Sequence, residues 1–125
     1  IVAAAAVLSR FLAIESCGQC PPCKLGTDAL ADRFFAIDAG EGTAFTLDEM
    51  TAWMGRVTDA NRCGLGAGER ALSTGVMRFF TQEVVEHLGV RCWSDRELLV
   101  PKMTDWDPAA GKFTYDEGYF AWRQA

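Results

Sequence analysis

A chain of 125 residues, 50% apolar and 23% charged, is long enough to bury one core and ordinary enough in composition to fold as a globular unit. Its formal charge of −5 leaves no basic stripe to neutralise phosphates, which argues against nucleic acid as a partner. Five cysteines, an odd number with three crowded together, fit a secreted disulfide framework poorly. A reducing compartment is expected, such as a bacterial cytoplasm or a mitochondrial matrix.

The opening run Ile1-Val2-Ala3-Ala4-Ala5-Ala6-Val7-Leu8 meets Arg10 too soon to span a bilayer. Without a basic leader it is also a poor signal peptide. It reads as a helix over 1–15 with Ser9, Arg10 and Glu15 its only polar positions, a helix that wants neighbours on most sides. The first residue is not Met, which points to a piece of a longer chain. Pro21-Pro22 suit the opening of a second helix. There Leu25, Ala29, Leu30, Phe34 and Ile37 recur inward at helical spacing, and Asp28, Asp32 and Arg33 take the other face. Gly40 and Gly42 end it.

Thr46 and Glu49 have the spacing of a capping box at the head of a third helix. Leu47, Met50, Trp53, Met54 and Val57 form its inward stripe, and it frays near Asp59-Ala60-Asn61. A Gly-rich loop over 63–68 leads into a fourth helix at about 69–88, with Leu72, Val76, Phe79, Phe80, Val84 and Leu88 as its stripe. The fold class expected is mainly α: a four-helix bundle over 1–90 with the cysteines at one end. Residues 91–125 form a C-terminal extension. In it Leu98–Trp106 reads as extended, Asp107-Pro108-Ala109-Ala110-Gly111 as a turn and Lys112-Phe113-Thr114-Tyr115 as a return strand, a small β-hairpin tail.

The chemistry lies between the first two helices. Cys17, Cys20 and Cys23 stand at two-residue gaps, and Cys63 follows 40 positions after Cys23. A cubane iron–sulfur cluster needs one terminal thiolate at each of four irons; a loop with two-residue gaps wraps three corners and the fourth ligand comes from elsewhere in the chain. On this spacing Cys17, Cys20, Cys23 and Cys63 are the candidate ligands of one [4Fe–4S] cluster. Gly18, Gly64 and Gly66 lack a Cβ, so their backbone can approach the inorganic sulfides and donate N–H groups. Gly18 and Gly64 therefore join the ligands as candidate cofactor-binding positions. Both cysteine segments precede helix starts, whose partial positive charge favours an anion, and Lys24 and Arg62 flank two of the ligands.

The alternative is a structural zinc-binding interaction module. Such sites normally use two C-x₂-C knuckles, whereas this chain has one triplet and one singleton. A redox dithiol would want a βαβ setting that is absent. Cys92, with no thiol near it in sequence, reads as a buried inert residue, and His87 as a helix-end residue rather than a metal ligand. Gly64-x-Gly66-x-Gly68 follows a cysteine loop instead of a strand, so dinucleotide binding by it is not expected. No Ser–His–Asp set is evident.

The motif Glu15-Ser16-Cys17-Gly18-Gln19-Cys20-x-Pro22-Cys23-x-x-Gly26, with Cys63-x-Leu65-Gly66 downstream, resembles the iron–sulfur binding region of the flavin- and NADH-binding subunit of respiratory complex I. Related diaphorase subunits of NAD-linked hydrogenases and formate dehydrogenases carry the same module. The resemblance covers about residues 1–88 and departs from the family at Lys24, usually Arg, and at Pro21, commonly a small polar residue. It implies a [4Fe–4S] cluster on the four matching cysteines, relaying single electrons from a flavin reduced by NADH to a further iron–sulfur cluster in an NADH:quinone oxidoreductase-type complex. FMN and NADH would bind only to an upstream portion, so the chain is not catalytic alone. The implied partners are that flavin/NADH portion and an iron–sulfur subunit. The implied place is the bacterial cytoplasm, peripheral on the inner face of the membrane without insertion. The tail holds three of the four Trp and both Tyr; it either folds back on the helices or docks onto a partner subunit.

Overall fold

Proline and cysteine set the first boundary of the helical part. In the computed structural model, which describes residues 1–91, 98 and 100–120, α1 runs Val2–Glu15 and α2 runs Pro21–Asp38. Pro21 and Pro22 occupy the first two helical positions of α2, where a missing N–H costs nothing. α3 follows as Ala44–Arg56, α4 as Leu65–Phe79 and α5 as Thr81–Glu86. Cys92, Trp93, Leu99 and Trp122 lie outside the described residues, as does the expectation of an inert thiol at Cys92.

One core joins the helices. Val2, Ala5 and Ala6 of α1 meet Leu30, Phe34 and Ile37 of α2, with Met50 of α3, Val76 of α4 and Val84 of α5 closing the cluster. The alanines of α1 carry little bulk, so α1 and α2 pack closely along their lengths. Phe34, the largest fully buried side chain, contributes about 2–3 kcal/mol of apolar burial. Arg10 is buried too, its guanidinium donating to Asp28 Oδ1 at 2.8 Å and to Asp32. Asp28 and Asp32 thus face α1 rather than only solvent, which the helical period alone did not show.

Three expectations need correction. The capping box belongs to Thr43, not Thr46: the Thr43 hydroxyl accepts from the Thr46 amide, and the Thr46 hydroxyl accepts from the Thr43 amide at 3.0 Å. Glu49 is instead held by Arg33 of α2, at 2.9 and 3.1 Å. The fourth helix begins four residues early and breaks at Phe80. The Thr81 hydroxyl donates to the Met77 carbonyl, a competing bond that disturbs the regular ladder. The break lets Val76 and Val84 both reach the core while Phe79 and Phe80 are exposed. Leu25, expected inward, is also exposed, as is Leu8 on α1.

The expected hairpin is present. Strands β1 (Pro101–Asp107) and β2 (Lys112–Phe120) pair antiparallel, with Trp106 opposite Phe113 and irregular register before Asp105. Asp107 Oδ1 accepts from the Ala109 and Ala110 amides, the local turn chemistry that the Asp-Pro-Ala-Ala-Gly run offers. In the tail Tyr119 folds back and is buried against α1, whereas Trp106, Phe113 and Tyr115 stay exposed. No helix among the described residues is long and apolar enough to cross a membrane.

Candidate metal centre

The four thiols come from two chain segments that never touch in sequence. Cys17 follows the end of α1, Cys20 is the N-cap of α2 and Cys23 lies in its first turn. Cys63 directly precedes Gly64, the N-cap of α4. All four are free, and together with Ser16, Asn61 and Leu65 they line one small, half-open pocket. Cys23 is buried, Cys20 intermediate, and Cys17 and Cys63 are exposed. Among the described residues no three Cys, His, Asp or Glu side chains converge closely enough to share a single ion.

Val57, the fully buried C-cap of α3, brings the two segments together. A Cβ on Gly26 of α2 would stand 2.8 Å from Val57 Cγ2, and one on Gly66 of α4 would stand 2.7 Å from the Val57 carbonyl oxygen. Neither approach tolerates a side chain, so these two glycines let the starts of α2 and α4 close on the same residue. Gly26 follows Cys23 by three positions and Gly66 follows Cys63 by three. The motif glycines therefore align the two cysteine segments. This is a different role for Gly66 from the backbone approach to sulfides expected of it. Gly18, at φ +80°, is needed for the reversal between Cys17 and Cys20. Gly64 has an ordinary backbone and open space where its Cβ would be.

Polar groups around the pocket are few and specific. The Arg62 amide donates to Cys20 Sγ at 3.4 Å, and the Ser16 hydroxyl lies 3.5 Å from Cys23 Sγ. Asn61 Nδ2 donates to the Val57 carbonyl at 2.8 Å, leaving its buried Oδ1 without a protein partner. Lys24 does not point its charge at the thiols. Its ammonium donates to the carbonyls of Ala13 at 2.6 Å and Ser16 at 3.4 Å, capping the carboxyl end of α1. The two helix starts also differ. Pro21 and Pro22 have no N–H to offer, whereas Leu65, Gly66 and Ala67 of α4 leave theirs without an intrahelical acceptor.

The structure thus gathers every thiol that the spacing selected, with Gly18 and Gly64 in the same two loops. His87 lies elsewhere, at the end of α5, its Nδ1 2.7 Å from the Glu83 carbonyl oxygen. Sequence reasoning missed Ser16, Asn61 and Leu65 as pocket residues. The first stands beside Cys17 in sequence and the others two residues from Cys63, a signal that was available. The donor chemistry suits a cluster of several irons: four uncrosslinked thiols lining one pocket, with an amide and a hydroxyl near two of the sulfurs.

Comparison with known proteins agrees with this chemistry. The F subunit of the NADH-quinone oxidoreductase of Streptomyces coelicolor is 30% identical over 106 residues, which is 77% of this chain and 24% of that protein. The alpha subunit of the NAD-reducing hydrogenase HoxS of Cupriavidus necator is 33% identical over 84 residues, 64% of this chain and 14% of that protein. The HndC subunit of the NADP-reducing hydrogenase of Solidesulfovibrio fructosivorans is 30% identical over 88 residues, 70% of this chain and 18% of that protein. The chain spans a quarter or less of the length of these relatives. The family binds a [4Fe–4S] cluster, so the zinc alternative is not favoured. Through residues 3–87 the chain belongs to the family of the NADH-ubiquinone oxidoreductase-F iron-sulfur binding region.

Proposed function

We propose that this chain is an electron-relay domain in which Cys17, Cys20, Cys23 and Cys63 each hold one iron of a single [4Fe–4S] cluster. The observation that carries the reading is that those same four free thiols, drawn from two distant segments, line one pocket. When bound, the cluster supplies reversible one-electron storage. The chain's own part is to hold the four corners rigidly, so that little rearranges when charge arrives. Gly18 and Gly64 serve the same loops by admitting backbone close to the group. Zinc is not favoured, because the family binds a [4Fe–4S] cluster and the chain offers one cysteine triplet and one singleton rather than two C-x₂-C knuckles.

In this reading α1 to α4 form a four-helix frame over residues 1–90, with the cluster at the end where α2 and α4 begin, and residues 91–125 are a separate extension. Electrons come from a flavin reduced by NADH and pass to a further iron–sulfur cluster in an NADH:quinone oxidoreductase-type complex. FMN and NADH then belong to another portion of the same subunit, and an iron–sulfur subunit is the partner. Support comes from the relatives, which are subunits of NADH-quinone oxidoreductases and hydrogenases. The exposure of Cys17 and Cys63 supports it further, since it turns two corners outward. The implied setting is the bacterial cytoplasm, peripheral to the inner face of the membrane.

Iron and acid-labile sulfide assays on anaerobically purified protein test the assignment. About four of each per chain are expected, with loss of both when any one of the four cysteines is changed to Ala. One zinc per chain and no sulfide would overturn it.

A further inference from the structure

Glu69 is the only carboxylate among the described residues that is wholly buried, at 0% exposure. It lies four residues after Leu65 on α4, and Leu65 lines the thiol pocket. Residues four apart share a helix face and are one turn apart, about 5–6 Å along the axis. Ser9 on α1 stands seven residues, about two turns, before Ser16, another pocket residue. Glu69 and Ser9 meet on the faces of α1 and α4 that lead to the pocket.

The two carboxyl oxygens are treated unequally. Oε1 accepts from the Ser9 hydroxyl at 2.8 Å and from the Ser73 hydroxyl at 2.7 Å. Oε2 is buried with no protein partner. A proton can therefore add at Oε2 without breaking either hydrogen bond. Among the described residues no cation is paired with the carboxylate. On α1, Arg10 is turned onto Asp28 and Asp32 of α2, and Glu15 meets Lys102. On α2, Lys24 caps α1 and Arg33 pairs with Glu49 of α3. Arg56 of α3 lies over Trp53, Arg70 of α4 reaches Thr58, and Arg78 lies over Phe79. On α5, Glu83 takes the amino terminus and His87 meets the Glu83 carbonyl. Burial raises the proton affinity of Glu69, while Ser73 and Ser9 lower it by stabilising the charged form.

We infer that Glu69 is a redox-linked proton site beside the thiol pocket. The inference rests on the [4Fe–4S] reading above. Glu69 takes up one proton from water at Oε2 when one electron from the reduced flavin arrives at the site, and returns it when that electron leaves. One electron and one proton are gained together and lost together, with no covalent bond formed other than O–H. The physical cause is like-charge repulsion: added negative charge beside a carboxylate favours its neutral form. Linkage makes the effect reciprocal, so a protonated Glu69 eases reduction. The coupling weakens with distance and with the effective dielectric between the two charges, so its size is what the experiment reads.

The test is the midpoint potential of the iron-loaded chain against pH. Across the pH range in which the protein stays folded, the wild-type midpoint should fall with rising pH from an acid plateau to a lower alkaline one, each tenfold change in proton affinity corresponding to about 59 mV. Glu69→Gln keeps the shape and an oxygen for both hydroxyls, and its midpoint should be flat and close to the wild-type acid plateau. Ser73→Ala removes one donor to the carboxylate and should move the transition to higher pH. Redox-difference infrared spectra of the wild type should show a protonated-carboxyl band on reduction. A flat wild-type midpoint, an unchanged slope in Glu69→Gln, an unmoved transition in Ser73→Ala or no carboxyl band would each overturn the inference. If Glu69→Gln does not fold, the serine variant and the wild-type spectra still decide. Absence of iron and sulfide would end the [4Fe–4S] reading and this inference together; iron present with a flat midpoint ends only the second.

Discussion

The helices and the hairpin solve the problem of stability in opposite ways. From α1 to α5 one apolar cluster is shared, so each helix is ordered by its neighbours. The hairpin leaves β1 exposed at every position and keeps Trp106, Phe113, Tyr115 and Met103 in contact with water. An isolated two-stranded hairpin is marginal in water. Here it is tied to α1 by one residue in particular. Tyr119 is buried edge-on to Phe11, donates its hydroxyl to Glu15 at 3.0 Å and lies under Lys102. A core distributes its support over many residues; an attachment concentrates it in one.

Substitutions in the two regions should therefore differ in size and in reach. The largest effect is expected at Phe34, wholly buried at the centre of the helical cluster. Phe34→Ala should cost about 3–5 kcal/mol in denaturant melts and loosen the hairpin as well, since its anchor rests on α1. Gly26→Ala comes next. Its Cβ would press on Val57 Cγ2 at 2.8 Å, an overpacking cost of about 1–3 kcal/mol, and iron retention should fall with it because Val57 aligns the two cysteine segments. Normal stability and full iron in that variant would refute the alignment role.

Tyr119→Phe should cost about 1 kcal/mol, the partly exposed Glu15 screening the lost bond. That loss should be confined to the hairpin, read as faster amide exchange in β2 with α1–α4 unchanged. The same attachment carries a pH signature. Burial, with the hydrogen bond to Glu15 and the charge of its carboxylate, pushes the Tyr119 phenol from 10.0 up to about 12. The folded state thus holds the proton that the released hairpin gives up, so attachment is intact below about pH 10 and lost as pH rises toward 12. Protection of β2 amides, measured relative to their base-catalysed intrinsic exchange rates, should fall over that window in the wild type and not in Tyr119→Phe. Smallest of all is Trp106→Ala, exposed on the strand, expected within about 0.5 kcal/mol. A larger change would mean that the exposed aromatic face is covered in solution.

Much of this contrast was legible in the residues. Pro21-Pro22, the stripe Leu30–Phe34–Ile37 and the Asp-Pro-Ala-Ala-Gly turn announce their elements through local geometry, and the elements are there. The capping box was misplaced because Thr43 and Thr46 satisfy each other reciprocally with hydroxyls alone, while Glu49 has a better partner in Arg33. The break at Phe80 was hidden because the apolar period runs straight through it; the core takes Val76 and Val84 from either side and leaves the two phenylalanines out.

For the site, the spacing by itself selected the four thiols that line one pocket, through two-residue gaps and one distant cysteine. Apolar periodicity and proline placement also fixed the mainly helical frame. What only the tertiary structure decided is how the corners meet. Gly26 and Gly66 both close on Val57, Lys24 turns away to cap α1, and Glu69 is sealed between two serines. The physical reason is that these are contacts between segments far apart in the chain. Periodicity and spacing report the neighbours of a residue along one helix, and say nothing of what another helix brings against it.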